Sequence, residues 1–350
     1  MALFAKIAFF SSELTMPPKK IRKVGGEADL APILPSGTNF TNKVIRDTVQ
    51  ITKYIGNGGF GRIYEGKLVG KGTKVCLKVE KKDSSGLFVE QNYFIRFLKK
   101  EMLEKWFKKD FISLPYLICF GVDMESFQDE LRYLAMPLYE ERLSDVINQR
   151  VGFQLKLDEV KKVSLCILNA LEYLHNCKVS HRDVKKDNVM LVKKGCLDKV
   201  VLIDMGISHW HTRFNDKINP KAKHSGTLLY TSIDAHLGRE GVFRSDLEIL
   251  GYNIIEWLKG SLPWKDYEKK PEKVYEMKFE VVNNPKVEIK KILPSIDTSF
   301  IQDLFNLSNS LEYCEVPAYD KIKKSLASWK TTTSKMSTRS GNILSNLNSR

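Results

Sequence analysis

Ser180-His181-Arg182-Asp183-Val184-Lys185-Lys186-Asp187-Asn188 is the stretch on which the fold turns. It fills every fixed position of the spacing His-Arg-Asp-x-x-x-x-Asn. An amphipathic helix predicted over 157–176 leads into it, with Val160, Val163, Ile167, Leu171 and Leu174 on one stripe. Downstream, Asp204-Met205-Gly206 lies 21 residues after Asp183, behind the β-rich run Lys199–Ile203. Upstream, Tyr54 to Ile63 carries glycines at 56, 58 and 61 in the spacing G-x-G-x-x-G. Such glycines let a backbone approach phosphate closely and turn its N–H groups inward. A dinucleotide-binding reading fails on context, because residues 62–69 after the glycines read as a strand where that fold needs a helix. Val75-Cys76-Leu77-Lys78 follows, its lysine 17 residues past Gly61. A lysine between apolar neighbours on a strand needs an anion if it is buried, and Glu90 on the next predicted helix can supply one.

Around these motifs the chain divides in two. Residues 48–80 hold short β-rich runs between Gly-rich turns. A single helix is predicted over 87–109, with Phe94, Phe97, Met102 and Trp106 at helical spacing, a stripe that reads as packing rather than base stacking. Residues 246–259 are apolar nearly all round, as a helix buried on most sides would be. Strands first and helices later make an α+β chain with a small sheet-rich lobe and a larger helical one.

Of the 350 residues, 43% are hydrophobic, enough to fill a core and to exclude a wholly disordered chain. No apolar run nears the roughly 20 residues of a membrane span. Six cysteines without C-x-x-C spacing fit neither a disulfide scaffold nor a zinc module. The net charge of +14 is uneven, since 24–329 holds 47 basic against 41 acidic residues and the two short ends carry the rest of the excess. Those basic ends are the parts expected to touch polyanions such as nucleic acid. The opening Met1–Phe10 is a poor signal peptide, interrupted by Lys6, and Met16 is an alternative start. Pro17 to Val24 is a compact basic cluster of the kind nuclear importers read, and 329–350 reads as a Ser/Thr-rich tail. The predicted organisation is an extension over 1–44, a domain over 45–328 with its lobes meeting near 136–140, and the tail.

Taken together, in this order and on these predicted elements, the motifs resemble the eukaryotic protein kinases over roughly 45–328. Gly226 to His236, with Ser232-Ile233-Asp234 in place of A-P-E, resembles the casein kinase one superfamily, as do Ser245 to Tyr252 and Leu262-Pro263-Trp264. Lys99 to Phe107, Leu87 to Glu90 and Leu311 to Tyr319 are similar to the vaccinia-related kinases within it. The resemblance implies a bilobal fold and transfer of the ATP γ-phosphate to protein Ser/Thr hydroxyls with Mg²⁺. It implies Lys78, positioned by Glu90, on the α/β-phosphates, with Asp204 and Asn188 on Mg²⁺. Asp183 would orient the substrate hydroxyl and accept its proton, Lys185 would neutralise the γ-phosphate, and Thr227 would brace both.

The same resemblance places adenine between Ile55, Ile63 and Cys76 above and Met190 below, with Gly56, Asn57, Gly58, Gly59, Phe60 and Gly61 over the phosphates. Met136 aligns as the gatekeeper, Pro137 offers its carbonyl, and Tyr139 offers an N–H. Met205 stands where Phe is usual and is expected to pack against Phe94 and His181. Histones and chromatin-bridging proteins are the implied substrates, for a nuclear, monomeric protein with no membrane contact. The competing reading is a pseudokinase scaffold that binds chromatin or nucleic acid through its basic ends. Finally, His209, His211 and His224 are read as solvated or loop-bracing, because no acidic or Cys partner stands at ligand spacing.

Overall fold

The computed structural model describes residues 30–42, 47–58, 61–84, 86–108, 110–123, 129–213 and 216–330. Its first lobe is built on a six-stranded antiparallel sheet in the order β1-β2-β3-β4-β6-β5. The strands are β1 (Asn39–Thr41), β2 (Thr48–Asn57), β3 (Arg62–Leu68), β4 (Lys74–Lys81), β5 (Cys119–Asp123) and β6 (Leu131–Pro137). β3 alternates buried and less buried residues, as a strand with one face on a core must. β4 differs: Leu77, Lys78, Val79 and Glu80 are all buried, so both of its faces are covered. That double covering takes Lys78 out of water. α1 (Gly86–Phe97) lies on the sheet, where the Gln91 side-chain amide donates to the carbonyl of Tyr133 on β6 at 2.8 Å.

Gly61 is required by the sheet itself. A Cβ there would sit 2.5 Å from the carbonyl oxygen of Val79 on β4, inside any real contact distance. The Gly58 N–H donates to the Gly61 carbonyl at 2.7 Å and closes the turn between β2 and β3.

Three sequence expectations about boundaries are corrected. The helix predicted over 87–109 is two helices, α1 and α2 (Lys100–Phe107). Lys99 between them is extended, at φ −74° and ψ 141°. It bridges to Leu117, whose N–H donates to the Leu98 carbonyl at 2.8 Å. The apolar spacing survives the break because Phe94, Leu103 and Phe107 enter one core. The folded body also starts before residue 45. Ala31, Leu34 and Phe40 are buried, β1 pairs with β2, and the Arg62 guanidinium donates to the Ala31 carbonyl at 2.6 Å. At the other end Trp329, assigned to the tail, is 2% exposed and donates its indole N–H to the Asp297 carbonyl at 2.7 Å. The basic cluster at 17–24, the phosphate-loop residues Gly59 and Phe60, and residues 331–350 lie outside the described residues.

The second lobe is helical. It comprises α3 (Leu143–Asn148), α4 (Leu157–Asn176), α5 (Ile233–His236), α6 (Phe243–Lys259), α7 (Pro271–Asn283), α8 (Pro285–Ile292), α9 (Ser299–Ser310) and α10 (Tyr319–Ser328). The expected stripe of α4 is fully buried at all five positions. α6 is buried along nearly its whole length and is the spine on which α4 and α9 pack. Small strands sit between the lobes: β7 (Glu141–Arg142), β9 (Val189–Leu191) and β10 (Val200–Leu202) form one sheet, and β8 (Val179–Ser180) pairs with β11 (His209–Trp210). These short ladders fix the loops that carry the chemistry. No helix among the described residues is long and apolar enough to cross a membrane.

Candidate active site

Lys78 reaches from β4 to Glu90 on α1, and the two form a buried ion pair at 5% and 1% exposure. Burial works to lower the Lys78 pKa. The carboxylates of Glu90 and Asp204 overcome it and hold the ammonium above its ordinary value, so it stays charged. Glu90 also accepts the backbone N–H of Met205. One carboxylate thus ties the strand lysine, the helix and the Asp-Met-Gly turn together.

Asp183 is surrounded by donors. Lys185 Nζ lies 2.8 Å and Asn188 Nδ2 2.8 Å from its Oδ2, while the Thr227 hydroxyl donates to Oδ1 at 2.9 Å. Lys185 also donates to the Thr227 oxygen at 2.9 Å, which closes a triangle of Asp183, Lys185 and Thr227. Asn188 spends its second amide hydrogen on the Asp183 carbonyl, which turns its Oδ1 the other way. The Ile203 N–H donates to the Asn188 carbonyl at 2.8 Å and seats Asp204 beside this loop. Burial would raise the Asp204 pKa, but Lys78, the Gly206 N–H on Oδ1 at 3.0 Å, and nearby His181 and Lys185 hold it below the usual carboxylate value.

Strain marks the site. Arg182 and Asp204 both have left-handed backbones, at φ 72° and 71°. Each costs about 1–2 kcal/mol for a residue with a Cβ and persists only where neighbours over-determine it. Asp246 on α6, with no exposed surface, accepts the backbone N–H groups of His181 and Arg182 at 2.7 Å each. It also accepts His175 Nε2–H at 2.9 Å, and Tyr319 OH donates to His175 Nδ1 at 2.7 Å. A carboxylate cannot donate, so this chain of bonds has one direction, from Tyr319 through His175 to Asp246. Sequence reading passed over His175 and Tyr319 as site residues because they act through partners 71 and 144 residues away. In the same way Asp234, in the segment that replaces A-P-E, forms a two-pronged pair with Arg244, at 2.9 Å on each prong.

The expected adenine residues gather across the sheet. Cys76 faces Met136 across β4 and β6, and Ile63 faces Lys78 across β3 and β4. Met190 lies on β9 in the other lobe. Burial pushes the Cys76 thiol up to about 12, against the lowering effect of Lys78, so it is a neutral packing group. Pro137 ends β6, and burial next to Tyr116 and Cys76 raises the Tyr139 phenol. Ile55 and Gly56 lie on the outer half of β2, with Ile55 exposed. The Asn57 side-chain oxygen Oδ1 accepts Tyr54 OH at 2.7 Å and Arg62 Nη1 at 3.0 Å, which stiffens the base of the glycine turn.

Met205 is fully buried in the core that includes Phe94. Its sulfur also takes a polar contact, in which the Ser208 hydroxyl faces Met205 Sδ at 3.6 Å. Phe at this position is expected to keep turnover within about threefold of wild type, since volume-conserving apolar exchanges cost under about 1.5 kcal/mol. Met205→Gly is expected to lose most activity, because deleting a buried Met side chain costs roughly 2–5 kcal/mol and loosens the turn on Glu90. Turnover at saturating ATP decides it; equal rates for Met205→Gly and wild type would deny Met205 any packing role.

Residues 49–312 match the family model for the protein kinase domain. Serine/threonine-protein kinase VRK1 of Caenorhabditis elegans is 34% identical over 315 residues, covering 88% of this chain and 50% of that protein. Nucleosomal histone kinase 1 of Drosophila melanogaster is 33% identical over 294 residues, covering 82% of this chain and 48% of its own length. The chain thus spans about half the length of these curated relatives. Among solved structures, that of vaccinia related kinase 3 aligns with a TM-score of 0.73 and 26% identity, over 85% of this chain and 92% of the other.

Proposed function

This chain belongs to the protein kinase family, in its vaccinia-related, casein kinase group branch, and on that premise we propose that it transfers the γ-phosphate of ATP to Ser and Thr hydroxyls of proteins. The observation that carries the reading is Asp183, whose carboxylate is held at once by Lys185, Asn188 and Thr227 at 2.8–2.9 Å. Phosphoryl transfer asks a protein for alignment and charge compensation more than for covalent chemistry. Asp183 orients the incoming hydroxyl and takes its proton. Lys185, already beside Asp183, offsets charge on the transferring group. Lys78 holds the α/β-phosphates, with Glu90 fixing its position. The glycine turn over 56–61 lays backbone N–H groups against the phosphates, and Pro137 O with Tyr139 N–H meets the adenine edge. Ile55, Ile63, Cys76, Met136 and Met190 enclose the ring.

The donor set also fits a hard divalent cation. Asp204 offers a carboxylate held in its charged form and Asn188 an amide oxygen, and both are oxygen ligands of the kind Mg²⁺ takes. When bound, Mg²⁺ would supply neutralisation of the phosphate oxygens. A scaffold that only needed the fold would have no use for this complete set, which argues against the pseudokinase alternative. Phosphoamino-acid analysis of a labelled acceptor protein tests the reading. Phosphoserine and phosphothreonine are expected, all lost with EDTA, and label on tyrosine alone would overturn it.

Nuclear, chromatin-associated substrates are part of the same proposal. The support is the basic run Pro17 to Val24 and the similarity to the fly nucleosomal histone kinase. A fusion lacking 17–24 is expected to lose nuclear accumulation. Undiminished accumulation would remove that segment from the account.

A further inference from the structure

β11 places His209 opposite Ser180 and Trp210 opposite Val179, so the segment that follows Asp204-Met205-Gly206 is hung on the two residues before His181. His209 and His211 are two residues apart in extended chain and so face the same way. The His211 backbone N–H donates to the Lys178 carbonyl at 2.8 Å and continues the pairing. Glu240, in the turn that precedes α6, comes in from the opposite side, with its Oε2 3.0 Å from His209 Nε2. One donor atom from each of His209, His211 and Glu240 lies within 4.8 Å of the other two. The expectation that these histidines lack an acidic partner is therefore corrected: the partner is 29 residues further on, beyond the reach of spacing rules.

The tautomer of His211 follows from its neighbours. Ser180 has one hydroxyl hydrogen, which it donates to the Gly241 carbonyl at 3.0 Å. Its 2.9 Å contact with His211 Nε2 must then run from ring N–H to hydroxyl oxygen. In the neutral imidazole the lone pair is left on Nδ1. An imidazole whose second nitrogen is pinned by an outer hydrogen bond is the arrangement that metal-ligating histidines adopt. Packing against the Phe243 ring, with centroids 5.4 Å apart, holds His211 in place. His209 and Glu240, at 22% and 21% side-chain exposure, lie at the rim of the site.

We propose that His209, His211 and Glu240 form a binding site for a borderline divalent cation of the zinc type, with its fourth position open to water. Two imidazole nitrogens and one carboxylate oxygen suit Zn²⁺, whereas Mg²⁺ takes the all-oxygen pair Asp204 and Asn188. A tetrahedral zinc with bonds of about 2.0–2.1 Å sets its donors roughly 3.3–3.4 Å apart. His209 and Glu240 are already near that spacing, and the widest separation has to close by roughly 1.4 Å, a side-chain rotation at the rim. Glu240 and Asp246 place negative field on the site, and Arg182 is the cationic group that opposes them. Once bound, the cation staples the segment after Met205 to the turn before α6, two residues from the catalytic loop.

Equilibrium dialysis of the full chain against Zn²⁺, with Mg²⁺ in excess, tests this without reference to activity. One Zn²⁺ per chain is expected. His209→Ala and Glu240→Ala should each weaken it by more than about 100-fold, and Ser180→Ala, which keeps all three ligands, by roughly 10–100-fold. Zn²⁺ should also raise the melting temperature of wild type and of neither ligand variant, which separates site loss from misfolding. No stoichiometric Zn²⁺ on wild type, or equal affinity in His209→Ala, would overturn the assignment.

Discussion

Asp183→Asn is expected to lower the rate of transfer from bound ATP by about 10²–10⁴, the range that a positioned proton acceptor contributes. Two effects add. The amide cannot take the hydroxyl proton, and its NH₂ group must face one of the donors that now converge on the carboxylate. Lys185 and Asn188 share Oδ2 while Thr227 holds Oδ1, so an amide keeps the first two only with its NH₂ on Thr227, whose hydroxyl hydrogen must then turn away. The backbone frame is untouched, because His181 and Arg182 are held by Asp246 rather than by Asp183. ATP affinity should therefore change little while single-turnover transfer collapses. A rate within tenfold of wild type would remove Asp183 from the chemistry.

Lys78→Met is expected to lower transfer by about 10²–10³, the scale of losing one preorganised charge. It also has a structural consequence that Asp183→Asn lacks. Glu90 is 1% exposed, and without Lys78 its charge has no compensating partner of opposite sign. Breaking a buried pair costs roughly 3–5 kcal/mol, with the lower end favoured here because Glu90 can take up a proton and keep its bond to the Met205 N–H. The single variant should melt several degrees lower yet still unfold cooperatively. Adding Glu90→Gln should restore most of the stability and none of the activity. Thermal unfolding and turnover on wild type and these two variants separate the two roles; a double variant no more stable than Lys78→Met would mean that the lost pair is not the cause.

The candidate catalytic residues are legible where the motif is local. His181 to Asn188 and Asp204-Met205-Gly206 sit on short loops whose spacing is itself the geometry, so one line of sequence carries them. Lys78 and Glu90 were legible for a different reason, since a strand lysine among apolar residues demands an anion and the next helix offered one. Regular elements followed their periodicity, as α4 and α6 do at nearly every position. What escaped was settled by contacts between distant segments. The break at Lys99 is imposed by Leu117, which the apolar spacing of 94–107 cannot register. Residues 31–42 fall within the extension expected over 1–44, but Arg62 and Tyr64 capture their backbone. Asp246, His175 and Tyr319 hold the His181–Asn188 loop from three separate helices, α6, α4 and the start of α10. Glu240 reaches His209 only because β11 pairs with β8.

On the proposed function these groups together form a working phosphoryl-transfer site. Radiolabel transfer from ATP to casein or histone by the full chain with Mg²⁺ tests it most directly. The account predicts steady incorporation by wild type that Lys78→Met and Asp183→Asn each reduce at least about 100-fold. Incorporation by either variant at the wild-type rate, or none by a folded wild type that binds ATP, would contradict it.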